Sequence, residues 1–163
     1  MKTIYDTMFK EACGEYLPIT DWRLLKAQGY QESRLDPNAV SPAGAVGIMQ
    51  FMPNTWDEQI KKSDYENEER TDPEASIYTG ACYMRWLYDE WSSPRPEMDR
   101  YCLALASYNA GIGNILEAQR CSGNSFSYSG IMKFLPEVTG EHSRETIWYV
   151  KHILKFYTEM VTG

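Results

Sequence analysis

Glu32 closes a mostly apolar helical stretch, with Leu25 seven and Gly29 three residues upstream. Those intervals put all three on one helix face, so the spacing predicts a carboxylic acid on the side that Leu25 buries. Apolar surroundings favour the neutral form of such a group, which then has a proton to deliver. A glutamate in this place could instead be salt-bridged to Arg34 or Lys26 on a solvated face, the ordinary outcome for an arbitrary acid. The residues that follow shift the balance. Ser41, Gly44, Gly47 and Gln50 lie in a segment too rich in glycine, alanine and proline to continue the helix. A glycine-rich turn beside a buried acid lets a substrate chain come close to the backbone.

Several elements must position these groups. A short amphipathic helix is predicted over residues 4–16, bounded by Gly14 and Pro18. Thr20 or Asp21 caps the next helix, which carries Leu24, Leu25 and Gly29 and ends near Glu32, with Asp36-Pro37 as its stop, because the residue before proline leaves helical geometry. Residues 38–52 read as loop with at most a small hairpin, and Pro53 opens a helix through Trp56 and Ile60. Residues 61–70 are polar and exposed. Asp72-Pro73-Glu74 then opens a helix towards Trp91: a capping acid, a proline at the first position and an acid favoured by the helix dipole. After the connector at residues 92–96, a nearly apolar helix over residues 98–108 is the candidate central buried one. Gly111 and Gly113 break it. A short helix over residues 115–119, a serine-rich loop over residues 122–130 and a helix over residues 131–138 interrupted by Pro136 come next. The last helix, residues 143–161, repeats Ile147, Val150, Leu154, Tyr157 and Val161.

Length and composition bound the possibilities. At 163 residues the chain, residues 1–163, is expected to form a single domain with a real hydrophobic core, and its apolar fraction of 43% is well clear of a disordered chain. A net charge of −7 with no basic run longer than Lys61-Lys62 argues against a nucleic-acid partner. No apolar run is long enough to span a bilayer, so no stable membrane insertion is expected. Cys13, Cys82, Cys102 and Cys121 lack Cys-x-x-Cys spacing, and His142 and His152 add no ligand pattern, so no metal site or cofactor is read. Reduced thiols are expected, since Cys82 and Cys102 lie in apolar helical patterns. Asp6 stands where a signal peptide carries its apolar stretch, so no leader is recognised.

Four segments in order carry a resemblance: Glu32-Ser33; Gly47-Ile48-Met49-Gln50; Ser107-Tyr108-Asn109-Ala110-Gly111; and Glu145-Thr146-Ile147-Trp148-Tyr149-Val150. Together they resemble the soluble lytic transglycosylase family, relatives of goose-type lysozyme, over about residues 16–156. The departures are Ile48 for the usual leucine and Ser107 for the usual alanine. The resemblance implies a mainly α, lysozyme-like domain with a central buried helix and a substrate groove. It also implies a peptidoglycan glycan strand as substrate, cleaved between N-acetylmuramic acid and N-acetylglucosamine without metal or cofactor by a monomer. Glu32 would act first as acid and then as base on the 6-hydroxyl of the muramic sugar, leaving a 1,6-anhydro product. A single carboxylate suits this, because the only acid nearby, Asp36, is explained by turn chemistry before Pro37.

Other roles carry over by motif. Ser41 would contact substrate near the reacting sugar, or stabilise the turn before Pro42. Gln50 would bond sugar hydroxyl or amide groups, or cap the Pro53 helix, and Met52 would shape the cleft wall. Tyr108 and Asn109 would face the cleft, although Asn109 could be a left-handed helix stop. Tyr149 would set its hydroxyl on Glu32, or be one more half-buried aromatic; Glu145 fits a helix-capping role. A hydrolase using water, and a wall-binding or virion protein without turnover, remain the alternatives. Without a leader, action on the wall in the periplasm would follow from phage lysis or virion delivery, or from a leader already removed.

Overall fold

Local chemistry sets most helix ends in the computed structural model, which describes residues 2–163. In chain order the helices are α1 (Asp6–Tyr16), α2 (Trp22–Ser33), α3 (Pro53–Gln59), α4 (Pro73–Glu90), α5 (Glu97–Ala110), α6 (Ile112–Cys121), α7 (Tyr128–Met132), α8 (Leu135–Thr139) and α9 (His142–Thr162). A 3₁₀ turn, Ile60–Lys62, extends α3. Asp21 caps α2 by accepting the Arg23 N–H at 2.9 Å, and Asp72 caps α4 by accepting the Ala75 N–H at 2.7 Å. Hydrogen bonds from Arg23 outweigh the effect of burial and hold the Asp21 carboxyl below the usual range, so the cap stays ionised.

No strand forms among the described residues. Two isolated antiparallel bridges, Val40 with Val46 and Val46 with Phe51, are the only β pairing there. The expectation of a mainly α fold with at most a small hairpin therefore stands.

Two local expectations are corrected, at Pro136 and in the serine-rich segment, while the helix carrying Glu32 ends at Ser33, next to the end expected for it, and Arg34 and Leu35 beyond it both take left-handed backbone (φ 58° and 65°). Leu35 gains burial by this turn-back and lies against Gly29 of α2, which accounts for backbone that non-glycine residues rarely adopt. Pro136 does not interrupt a helix; it sits in the first turn of α8, where its missing N–H costs nothing. The serine-rich segment is shorter than expected, because Ser127 accepts the Gly130 N–H at 3.0 Å and starts α7 inside it.

Contacts divide the chain into two compact units. One comprises the chain up to Arg85 together with Ile153–Gly163; the other is Trp86–His152. In the first, α1 packs on α2, and Phe9, Leu17, Leu25, Ile48, Met49 and Ile77 are fully buried. Lys26 is also buried, its ammonium 2.6 Å from Asp6, so the charge is met by an opposite one. In the second, α5 packs on α6 and α7, and every residue from Tyr101 to Ser107 is buried. That is the central apolar helix the sequence pattern indicates.

Candidate active site

Glu32 occupies the last turn of α2 and is half-buried, on the face where Leu25 and Gly29 are buried completely. Gly29 has no room for a side chain: a Cβ there would come 3.1 Å from Phe9, 3.2 Å from Leu35 and 3.3 Å from Ile48. The 38–52 segment thus packs directly on the turn that carries the acid. Ser33 fastens the two, its hydroxyl donating to the Ile48 carbonyl at 2.9 Å across 15 residues of chain. Lys26 meets Asp6, while Arg34 lies over the rings of Tyr30 and Phe156 and donates to the Tyr30 carbonyl.

The loop itself is held mainly through its backbone. Gly47 has φ +86°, and a Cβ on it would fall 2.0 Å from the Arg70 carbonyl oxygen, so glycine is required twice over. Ile48 and Met49 point inward and are fully buried, Met49 lying against Gly80, while the Met49 N–H donates to Ser76 Oγ at 3.2 Å. Arg70 donates from Nη1 to the carbonyls of Gly44 and Phe51 at 2.9 and 2.8 Å.

On this scaffold Ser41 accepts the Ala45 N–H at 3.0 Å, the turn-stabilising geometry. Gln50 takes left-handed backbone (φ 51°) and donates from Nε2 to the Gly47 and Ala39 carbonyls at 2.9 and 3.1 Å. Gln50 therefore does not cap the Pro53 helix; its amide ties the loop together. Met52, at the start of α3, is exposed and available to a ligand.

The other three residues belong to the second unit. Tyr108 and Asn109 form the last turn of α5, both half-buried, and Tyr149 is buried in α9. Asn109 is helical, so it is not the left-handed stop; the helix ends at Gly111, whose φ of +84° is open to glycine. The Asn109 side chain is fixed by Thr146 of α9, whose hydroxyl donates to Oδ1 at 2.8 Å. Asn109 also lines a cleft of about 390 Å³ together with Asn114, Thr139, His142 and Glu145. Its amide, hydroxyl and carboxylate groups suit a polyhydroxylated ligand. Asn114, Thr139 and His142 escaped the sequence reading, since each is isolated in its own segment and only packing gathers them.

Other chemistries find little support. All four cysteines are unpaired thiols. Burial pushes Cys13 and Cys102 up to about 12, so neither is a nucleophile near neutral pH. Among the described residues no group of three or more His, Cys, Asp or Glu could hold a metal ion, and no helix is long and apolar enough to cross a membrane.

Comparison with known proteins places the chain in a family. A family model described as "Transglycosylase SLT domain" matches residues 15–129. The chain is 36% identical over 173 residues to the membrane-bound lytic murein transglycosylase F of Alcanivorax borkumensis, covering 97% of this chain and 35% of that protein. It is 38% identical over 136 residues to the protein of the same name from Haemophilus influenzae, covering 81% of this chain and 26% of that one. The crystal structure of the 70 kDa soluble lytic transglycosylase of Escherichia coli superposes with a TM-score of 0.74 at 26% identity, over 98% of this chain and 25% of that chain. The chain thus spans about a third or less of the length of these relatives.

Proposed function

The chain belongs to the transglycosylase SLT domain family, and on that premise we propose that it is a peptidoglycan lytic transglycosylase acting as one catalytic domain. It cleaves the bond between N-acetylmuramic acid and N-acetylglucosamine and leaves 1,6-anhydro-N-acetylmuramic acid. Glu32 gives its proton to the bridging oxygen as the bond from that oxygen to C1 breaks, and the sugar's own N-acetyl group supports the cationic centre. The resulting carboxylate then takes the proton of the 6-hydroxyl, whose oxygen bonds to C1. Glu32 ends protonated, as it began, and no water enters the products.

The observation that carries this reading is the Ser33–Ile48 hydrogen bond. It joins the Glu-Ser and Gly-Ile-Met-Gln motifs into one piece, so the acid and the substrate loop are a single preorganised unit. Ser41, Gln50 and Met52 on that loop, with Tyr108, Asn109 and Tyr149, are the proposed substrate-binding residues. A glycan strand is the proposed partner; with a net charge of −7, hydrogen bonds and aromatic surface rather than charge attraction would hold it.

Glu32→Gln tests the proposal on purified sacculi, with soluble products read by mass spectrometry. Loss of the proton donor is expected to slow release by about 100-fold or more. Turnover at the wild-type rate would remove Glu32 from the chemistry, and no release by the wild type itself would leave a wall-binding protein. Reducing-end muramic acid from the wild type, in place of the anhydro sugar, would mean that water attacks instead.

A further inference from the structure

Arg70 belongs to none of the four motifs and lies just before α4, with Glu68, Glu69 and Asp72 close to it in sequence. A guanidinium among carboxylates ordinarily pairs with them, since a bond between two ions is stronger than one to a neutral carbonyl. Arg70 is half-buried and makes no ion pair among the described residues. Both N–H bonds of its Nη1 go instead to main-chain carbonyls, Gly44 at 2.9 Å and Phe51 at 2.8 Å.

Those carbonyls stand at the two ends of the turn that presents the proposed glycan contacts. The Gly44 N–H donates to the Ser41 carbonyl at 3.0 Å, and Phe51 lies between Gln50 and Met52. Between the clamped ends, Val46 and Phe51 exchange N–H to carbonyl bonds at 3.1 Å. Gln50 keeps its left-handed backbone there, a conformation that a non-glycine residue holds only where its surroundings impose it. The start of α4 meets this turn in three ways: the Arg70 carbonyl behind Gly47, Ser76 Oγ on the Met49 N–H, and the Arg70 side chain. Of these, only the side chain reaches both ends. The acid is held separately, by its place in α2 and by the Ser33 bond to the buried Ile48.

We infer that Arg70 is a positioning residue for glycan binding. By fixing the Gly44 and Phe51 carbonyls it keeps the turn in the shape that aims Ser41, Gln50 and Met52 at the strand, and it acts on affinity rather than on bond cleavage. The inference rests on the proposed function for the identity of the ligand.

The test measures KM and kcat of the full chain on a soluble, peptide-free oligosaccharide of alternating N-acetylglucosamine and N-acetylmuramic acid. Arg70→Ala frees both carbonyls and is expected to raise KM about tenfold with kcat within about twofold of wild type. Arg70→Lys keeps the stem and the charge but loses the two donors fixed on one planar nitrogen, for an expected rise in KM of about threefold. The lysine variant also serves where the alanine variant melts below the assay temperature. Hydrogen exchange at the Val46 and Phe51 amides should quicken in either variant while α5 is unchanged. A wild-type KM in Arg70→Lys would mean that Arg70 attracts the lactyl carboxylates of the strand by charge alone, and would overturn the inference. A fall in kcat with KM unchanged, or unaltered exchange in the turn, would overturn it too. If the wild type releases no anhydro sugar, the transglycosylase reading fails by itself. Calorimetry with the same oligosaccharide then decides on Arg70, comparing Glu32→Gln with Glu32→Gln combined with Arg70→Lys. Binding about threefold weaker in the double variant supports the assignment; equal affinities, or no binding by either, overturn it.

Discussion

Two regions present polar side chains, and they are secured by different means. The 38–52 loop is pinned from behind. Gly47 sits where any side chain would strike the Arg70 carbonyl, Ile48 and Met49 are sunk in the core, and Arg70 grips two loop carbonyls. The end of α5 is pinned through side chains. Ser107 accepts the Trp91 indole N–H at 3.0 Å while donating to the Leu103 carbonyl at 2.7 Å, and Asn109 is held by Thr146. A backbone-held loop keeps its shape whatever its polar residues are, but has no tolerance at its glycine. A side-chain-held helix end tolerates small exchanges, each at the cost of one hydrogen bond.

The largest effect should therefore come from Gly47→Ala. The clash and the left-handed backbone together should cost about 4 kcal/mol, lowering Tm by roughly 10 °C in calorimetry. Gly44→Ala is the internal control: φ is +93°, but nothing lies within 4 Å of the added methyl, so only the backbone strain of about 1 kcal/mol remains. If the two variants melt together, crowding at Arg70 is not what holds the loop.

Next in size is Ser107→Ala, the residue usual in the family. It leaves the buried Trp91 N–H without its acceptor and should cost about 2 kcal/mol. Adding Trp91→Phe removes the orphaned donor, so urea titration of the double variant should show less than the summed loss. Strict additivity would mean that the Ser107–Trp91 bond carries no weight. Ser107 thus has a structural reason to depart from alanine: in this chain a tryptophan needs the oxygen.

The smallest expected change is Thr146→Val, about 1 kcal/mol or less in stability because the Asn109–Thr146 pair is only partly buried. Its functional readout is sharper. With Asn109 no longer oriented, turnover of sacculi should fall while the Gly44→Ala control stays near wild type. Unchanged turnover would remove Asn109 from the proposed substrate contacts.

Much of the fold was legible in the chain. Asp21 and Asp72 cap their helices as their sequence context implies, Pro53 and Pro73 open helices, and the apolar run at residues 101–107 is buried throughout. The left-handed pair Arg34–Leu35 was not legible, because neither residue favours that conformation alone; Leu35 adopts it to reach Gly29. Gln50 was read for its amide but not for the strained backbone that turns that amide onto the loop. In the candidate site, residue types came from motifs, whereas Asn114, Thr139 and His142 had no pattern to reveal them.

The sequence by itself determined where several helices start, which apolar run is buried, and that metal and thiol chemistry lack a pattern. Those properties depend on neighbours within a turn or two. Tertiary structure alone decided that Ser33 would tie to Ile48, that Gly47 could be nothing but glycine, and that Thr146 would hold Asn109. Each of these rests on an atom from a distant part of the chain, brought into range only once the apolar faces have packed.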